Sequence, residues 1–413
     1  MIKNKLKNQY FVIITFSILL VILIELIILL PRPDFKKSDE NIATLIKYAE
    51  EIITKCDSET YHPTCYDREV PKLMDKISME EAFKVTAIIQ SKDSTYPYCH
   101  VLGHELSARE VGKDPSKWKD VLTRCPAGQC SNGCLHGGLQ ERFRGTVTYS
   151  EEQIEEVKKD LADICEKRGD WNPTGLEQAS CYHAVGHLSM YLTSADLIKS
   201  GKICDYAAVK SDGRNYLDTC YDGNFMQIFQ PLEDEDKDLI AGKEVRRDEL
   251  ETFCKKFGGE QRVSCWHEGW PLYSKEIVTP NGLIDYCTNP ILATDADKDQ
   301  CFLGLFYVIT VQLRFDIPRI TEFCSSLPGL RMDQCFANTA SRLIETDYNN
   351  LSFVTDYCAS APTESSRTRC YNELIFYSTF NFHSGSKEFY SLCNSLPGEW
   401  KGRCLGGAKN TSG

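Results

Sequence analysis

The sequence predicts an all-α protein in which disulfide-stapled helical hairpins repeat along the chain as an α-solenoid or α/α toroid, behind one N-terminal transmembrane helix. Three observations carry this reading. Cysteines recur in pairs at hairpin spacing, and the segments between them have helical apolar periodicity. A long apolar run near the N-terminus precedes every one of the 20 cysteines.

Residues 1–10 carry Lys3, Lys5 and Lys7 and no acidic side chain, and Phe11 to Leu30 form an apolar run interrupted only by Thr15, Ser17 and Glu25. A run of this length spans a bilayer as a helix. Positive charge ahead of it and acidic residues soon after Pro31 orient the chain with a cytosolic N-terminus and an exported remainder. Ile27-Ile28-Leu29-Leu30-Pro31 offers no small-residue cleavage site, so the run reads as an uncleaved signal anchor. Residues 1–10 are then a cytosolic tail, 11–31 the anchor, 32–45 a linker, and 46–413 a repeat domain on the extracytoplasmic side of a cell membrane crossed once.

An even number of cysteines on that side is what persistent disulfides require. A net charge of −12 and a pI near 5.3 speak against nucleic acid and against electrostatic docking on anionic lipid. The hydrophobic fraction of 42% is that of ordinary folded protein. No phosphate loop, dinucleotide fingerprint, serine-hydrolase elbow or CxxCH haem attachment is present.

The repeat is a helical segment ending at one Cys, a polar turn, and a second Cys followed by an aromatic residue: Cys65-Tyr66, Cys181-Tyr182, Cys220-Tyr221, Cys265-Trp266, Cys301-Phe302, Cys335-Phe336 and Cys370-Tyr371, with weaker copies at Cys134 and Cys404. From Cys134 to Cys404 the intervals are 47, 39, 45, 36, 34, 35 and 34 residues, the length of one helical hairpin. Glu151 to Lys167 shows the helical period directly, with Ile154, Val157, Leu161 and Ile164 on one face. Ser180 is the expected N-cap of a second helix opening at Cys181.

This layout pairs Cys56 with Cys65, Cys165 with Cys181, Cys204 with Cys220, Cys254 with Cys265, Cys287 with Cys301, Cys324 with Cys335, Cys358 with Cys370, and Cys393 with Cys404. Cys99, Cys125, Cys130 and Cys134 remain, with three pairings open to them. Repeat logic selects Cys125 with Cys134, and so Cys99 with Cys130. Closing loops of this size stabilises by about 2–3 kcal/mol each in the chain-entropy model. In architecture the array resembles the cysteine-rich, tetratricopeptide-like repeat proteins, in which a disulfide joins the two helices of each repeat. The cysteine spacing here is longer and more variable, and no binding residue carries over.

Six of the eight histidines fall in second helices, and four form one spacing twice: His100-Val101-Leu102-Gly103-His104 and His183-Ala184-Val185-Gly186-His187. Random placement would give about 0.15 such pairs. Residues four apart share a helix face, so both imidazoles of a pair can address one ion. Between the copies, His136 stands at the level of His100 and His183, with Gln140 four residues on. The five imidazoles are expected in one cavity, because second helices line the inner side of such an array. An all-imidazole set suits a transition metal, Zn, Cu or Fe, as one or two ions. Glu105 and Glu141 are the candidate catalytic proton carriers, and Asp222 and His267 complete an outer shell or bind substrate. Gly103, Gly137, Gly186, Gly223 and Gly269 let helix pairs pack closely.

The function this supports is a membrane-anchored, extracytoplasmic metal-binding protein, as a metalloenzyme activating water or dioxygen or as a surface store or carrier of metal. The alternative is a non-catalytic scaffold whose aromatic residues Tyr182, Tyr221 and Trp266 line a groove for a peptide or protein partner.

Overall fold

The computed structural model describes residues 35–143, 149–232 and 234–410 and is all-helical, with no strand among them. The tail and anchor expected at 1–31 lie outside the described residues. Among those described, no helix is long and apolar enough to cross a membrane. The chain divides into two compact units, residues 1–48 and 49–413. Helix α1 (Phe35–Cys56) begins in the first, inside the segment expected as a linker. Everything described below belongs to the second.

In chain order the principal helices are α2 (His62–Glu69), α3 (Met79–Lys92), α4 (His100–Lys113), α5 (Trp118–Thr123), α6 (Gly133–Phe143), α7 (Glu151–Asp163), α8 (Gly175–Leu192), α9 (Leu197–Ala207) and α10 (Leu217–Phe229). There follow α11 (Leu250–Cys254), α12 (Gly259–Glu268), α13 (Pro280–Cys287), α14 (Asp295–Gln312), α15 (Ile317–Ser325), α16 (Leu330–Thr346), α17 (Val354–Ser360), α18 (Glu364–Phe376), α19 (Lys387–Ser395) and α20 (Gly398–Asn410).

All 20 cysteines are bonded. Nine bonds join the two helices of a hairpin: Cys56–Cys65, Cys125–Cys134, Cys165–Cys181, Cys204–Cys220, Cys254–Cys265, Cys287–Cys301, Cys324–Cys335, Cys358–Cys370 and Cys393–Cys404. The tenth, Cys99–Cys130, ties the start of α4 to the loop before α6. These are the ten pairs that the spacing selects.

The second cysteine of most hairpins sits inside its helix, not at its start. Ser180 is an interior residue of α8, and the cap is Thr174. Its hydroxyl accepts from the Glu177 backbone N–H (3.2 Å), while the Glu177 carboxylate accepts from the Thr174 N–H (2.8 Å). The same reciprocal cap opens α3 at Ser78, α7 at Ser150 and α14 at Thr294. Most second helices therefore start several residues before their cysteine, as α8, α12, α14, α16, α18 and α20 do, whereas α6 starts one residue before Cys134.

The aromatic residues after these cysteines are buried between neighbouring helices. Tyr182 is fully buried and donates to Glu166 on the connection after α7 (2.7 Å). Tyr221 donates to Asp205 on α9, and Trp266 stacks on Tyr286 of α13 with ring centroids 4.9 Å apart. The scaffold expectation that these three line a groove is corrected: each is buried in helix packing, Tyr182 and Tyr221 against a polar partner in or beside the preceding helix of their hairpin, and Trp266 against Tyr286 of the following helix, to whose backbone carbonyl its Nε1 donates (3.1 Å).

Second helices pack against one another in sequence order, α4 on α6, α6 on α8, and onward through α10, α12, α14, α16 and α18 to α20. Contacts also join distant parts of the unit. Tyr307 of α14 meets Tyr98 and Ser131, the Tyr348 N–H donates to Gly128 O (2.9 Å), and His383 meets Asn172 O (2.7 Å). A continuous apolar core runs from Phe225 to Cys404.

Candidate metal centre

Glycines at the helix crossings bring the histidine helices together. A Cβ on Gly137 would lie 2.2 Å from His104 O, and one on Gly133 2.2 Å from His100 O, so α4 and α6 touch backbone to backbone. Gly186 and Gly223 do the same for α8 and α10, where a Cβ would lie 2.1 Å from Cys220 O and from His183 O. Gly103 makes a looser version of the α4–α6 contact, and Gly269 instead leaves room for the Leu250 side chain. Imidazoles projecting from such closely spaced axes meet over a short distance.

The five expected histidines converge. His100 and His104 have their Nε2 atoms 3.1 Å apart, and those of His183 and His187 are 3.2 Å apart. His136 lies between the pairs, its ring centroid 4.9 and 5.3 Å from the first pair and 5.2 and 5.9 Å from the second. His100, His104 and His136 can each offer a ring nitrogen within 4.8 Å of the other two, forming a buried group that could hold a metal ion.

Outer hydrogen bonds determine which nitrogens face inward. His100 Nδ1 lies 3.2 Å from Cys130 O, and His183 Nδ1 lies 3.2 Å from Thr219 O. A carbonyl only accepts, so each Nδ1 carries the proton and each Nε2 a lone pair. His187 Nδ1 is held by Gln227 Oε1 at 2.7 Å in the same way. His136 is reversed: its Nε2 donates to Ser180 O (3.1 Å), and its buried Nδ1 has no hydrogen-bond partner. Facing lone pairs 3.2 Å apart repel, and a cation between them removes the conflict. With Zn–N bonds of about 2.05 Å, separations of 3.1 and 3.2 Å correspond to N–metal–N angles of about 100°.

Buried polar groups without partners are rare in folded proteins. Among the described residues they concentrate here: His136 Nδ1, Gln140 Oε1 and Gln227 Nε2 around the imidazoles, and Asp222 Oδ1 and His267 Nε2 on the next two second helices.

Burial pushes the His100 imidazole down to about 3, with His104 adding to the effect, and burial likewise holds His136 and His183 well below the usual histidine range. The rings are therefore neutral and free to coordinate. A histidine depressed in the folded state binds its proton more readily when unfolded, so its contribution to stability is present above about pH 6.5 and falls away with acid. Metal-free protein is expected to lose about 2 kcal/mol from His100 alone between pH 7 and pH 5. Urea unfolding in the presence of chelator measures this, and equal midpoints at the two pH values would contradict neutral, desolvated rings.

The turn carrying these contacts is strained. Cys130, Ser131 and Asn132 have φ of 50°, 47° and 57°, three consecutive non-glycine residues in the left-handed region, at a cost of roughly 1–2 kcal/mol each. The turn aims Cys130 O at His100, while Asn132 Nδ2 donates to Ser180 Oγ beside the carbonyl that holds His136 (3.1 Å).

Asp222 and His267 come together with Glu268, a residue the spacing did not single out, and the three form a second group of potential ligand atoms within 4.8 Å. Burial opposes charge on His267, but Glu268 and Asp222 outweigh it and hold the imidazole above its ordinary range. Burial in turn holds Glu268 high. Glu105 is half-buried, and its charge adds to the burial that lifts the Asp67 carboxyl to about 6. Glu141 lies beside Gly112, two turns beyond His104 on α4. Gln140, Gln227 and Glu268 are the polar neighbours that sequence reasoning did not place in the site. Only the position of Gln140 four residues after His136 carried a signal. The chain matches no family model, no curated protein and no solved structure, so the centre is read from its own residues.

Proposed function

We propose that this protein is a metal-binding protein displayed on the extracytoplasmic side of a membrane by its N-terminal apolar segment, with His100, His104, His136, His183 and His187 holding one or two transition-metal ions. The observation that carries the reading is the inward lone pair: outer carbonyl and amide partners leave His100, His183 and His187 with Nε2 facing the cluster, and His136 with an unpartnered buried Nδ1. Imidazole nitrogen without carboxylate or thiolate favours zinc, copper or iron over calcium or magnesium. Ten disulfides fit an oxidising compartment. The repeats are read as a closed α/α toroid with second helices inward, supported by the contacts from Tyr98, Gly128 and Asn172 to Tyr307, Tyr348 and His383. If the centre catalyses, Glu105 and Glu141 are the proton carriers nearest in sequence to its ligands, and the ion activates water or dioxygen.

Elemental analysis of the full chain, purified without chelator, tests the reading. At least one zinc, copper or iron ion per chain is expected. The double variant His183→Ala, His187→Ala is expected to weaken binding by more than the roughly 10–100-fold that loss of an outer partner costs. A metal-free wild type after loading would exclude the function, and full metal content in the double variant would exclude this ligand set.

A further inference from the structure

We infer that Asp222, His267 and Glu268 form a second cation site, chemically unlike the five-imidazole centre, which takes a first-row divalent ion with mixed oxygen and nitrogen preference such as Mn2+. The site lies on α10 and α12, the second helices that follow the histidine-bearing α4, α6 and α8.

The separations are those of ligands, not of a hydrogen-bonded triad. His267 Nδ1 lies 3.3 Å from Glu268 Oε1 and 3.6 Å from Asp222 Oδ1. Charge-assisted hydrogen bonds close to about 2.7–2.9 Å, and elsewhere in this protein a histidine–carboxylate pair does so, with His62 Nδ1 2.8 Å from Asp93 Oδ2. Donors bound about 2.1–2.2 Å from one ion stand about 3.0–3.6 Å apart at angles between about 90° and 110°. Both separations from His267 fall at such edge lengths, and the three potential ligand atoms lie within 4.8 Å of one another.

The surroundings keep them so. Asp222 Oδ1 is buried and has no hydrogen-bond partner. Gln230 Nε2 donates to Glu268 Oε2 at 2.6 Å, which leaves Oε1 turned toward His267, the kind of outer support that orients a ligating carboxylate. The His267 ring is pinned from behind by α14: a Cβ on Gly304 would lie 2.2 Å from Nε2, so only a glycine there lets the ring sit with Nδ1 toward the carboxylates. Arg342, the cation whose charge reaches His267, is paired with Glu345. Two carboxylates and one imidazole select a harder ion than five imidazoles do.

The experiment uses the full chain, stripped of metal and titrated with Mn2+, with free Mn2+ followed by its electron paramagnetic resonance signal. Wild type is expected to take up one Mn2+ per chain, and His183→Ala, His187→Ala is expected to do the same. Glu268→Gln and Asp222→Asn, which keep side-chain shape and remove charge, are expected to weaken uptake at least tenfold. Circular dichroism checks that each variant is folded. If Glu268→Gln is not folded, Asp222→Asn decides, because Asp222 is partly exposed. No Mn2+ uptake by wild type, uptake unchanged in the folded carboxamide variants, or uptake lost with the imidazole pair each overturns the site. Failure of the five-imidazole centre would show as absent zinc, copper or iron with Mn2+ uptake intact, so the two outcomes are separable.

Discussion

Gly137→Ala is expected to destabilise the protein by about 3 kcal/mol and to remove most of its metal affinity. The added methyl would lie 2.2 Å from His104 O and 2.5 Å from His104 Cα, both backbone atoms, so no side-chain rotation relieves the clash and α4 must move off α6. Overpacking a tight contact costs about 1–3 kcal/mol, at the upper end when backbone must shift. The same movement separates His100 and His104 from His136, and a centre built to a few tenths of an ångström does not survive it. Gly402→Ala in α20 is the control: that position is exposed with open space around it, and the substitution is expected to be neutral or to stabilise by up to about 1 kcal/mol. Urea midpoints and metal content of the two variants provide the comparison. Equal behaviour would mean that helix proximity at Gly137 does not support the site.

Complete reduction is expected to unfold the protein, with loss of most helical circular dichroism. Most first helices of the hairpins are short: α11 has 5 residues and α17 has 7. Isolated helices of fewer than about 12 residues are marginal in water, so cross-links that each contribute about 3 kcal/mol decide whether the hairpins exist. Reduction without denaturant is expected to begin at one bond. Every cysteine is buried except Cys125, which is half-buried, so Cys125–Cys134 opens first. Timed thiol alkylation followed by peptide mass spectrometry identifies the order. Simultaneous labelling of all 20 cysteines would show instead that reduction proceeds through global unfolding.

How much of this was legible in the sequence follows from the range of each interaction. A hairpin disulfide closes over 9 to 16 residues, so its signature is local, and the spacing of Cys165 and Cys181 or of Cys204 and Cys220 sufficed to pair them. The i, i+4 histidines were equally local. The start of α8 is also local: Thr174-Gly175-Leu176-Glu177 is a capping box, six residues ahead of the cap expected at Ser180. The scaffold alternative places Tyr182, Tyr221 and Trp266 on an open groove, because the sequence marks them as aromatic helix residues without saying which way they face. Glu268 gave no signal, since its role depends on Asp222 arriving from another helix. The contacts of Tyr98 with Tyr307 and of Gly128 with Tyr348 span more than 200 residues and have no local trace.

The left-handed turn at Cys130–Asn132 has a consequence for how the molecule matures. Its first residue is cross-linked to Cys99, and its carbonyl selects the tautomer of His100. Until that bond forms, only side-chain hydrogen bonds such as those of Ser131 with Tyr307 and of Asn132 with Ser180 are left to hold three non-glycine residues in so costly a conformation, and the coordinating lone pair of His100 is not fixed. Before oxidation the chain also presents 20 thiols, which compete with imidazole for zinc or copper. Biogenesis is thereby ordered in time: oxidation comes first and metal second, and a chain offered metal too early would carry it on sulfur, in the wrong place, with its own cross-linking blocked.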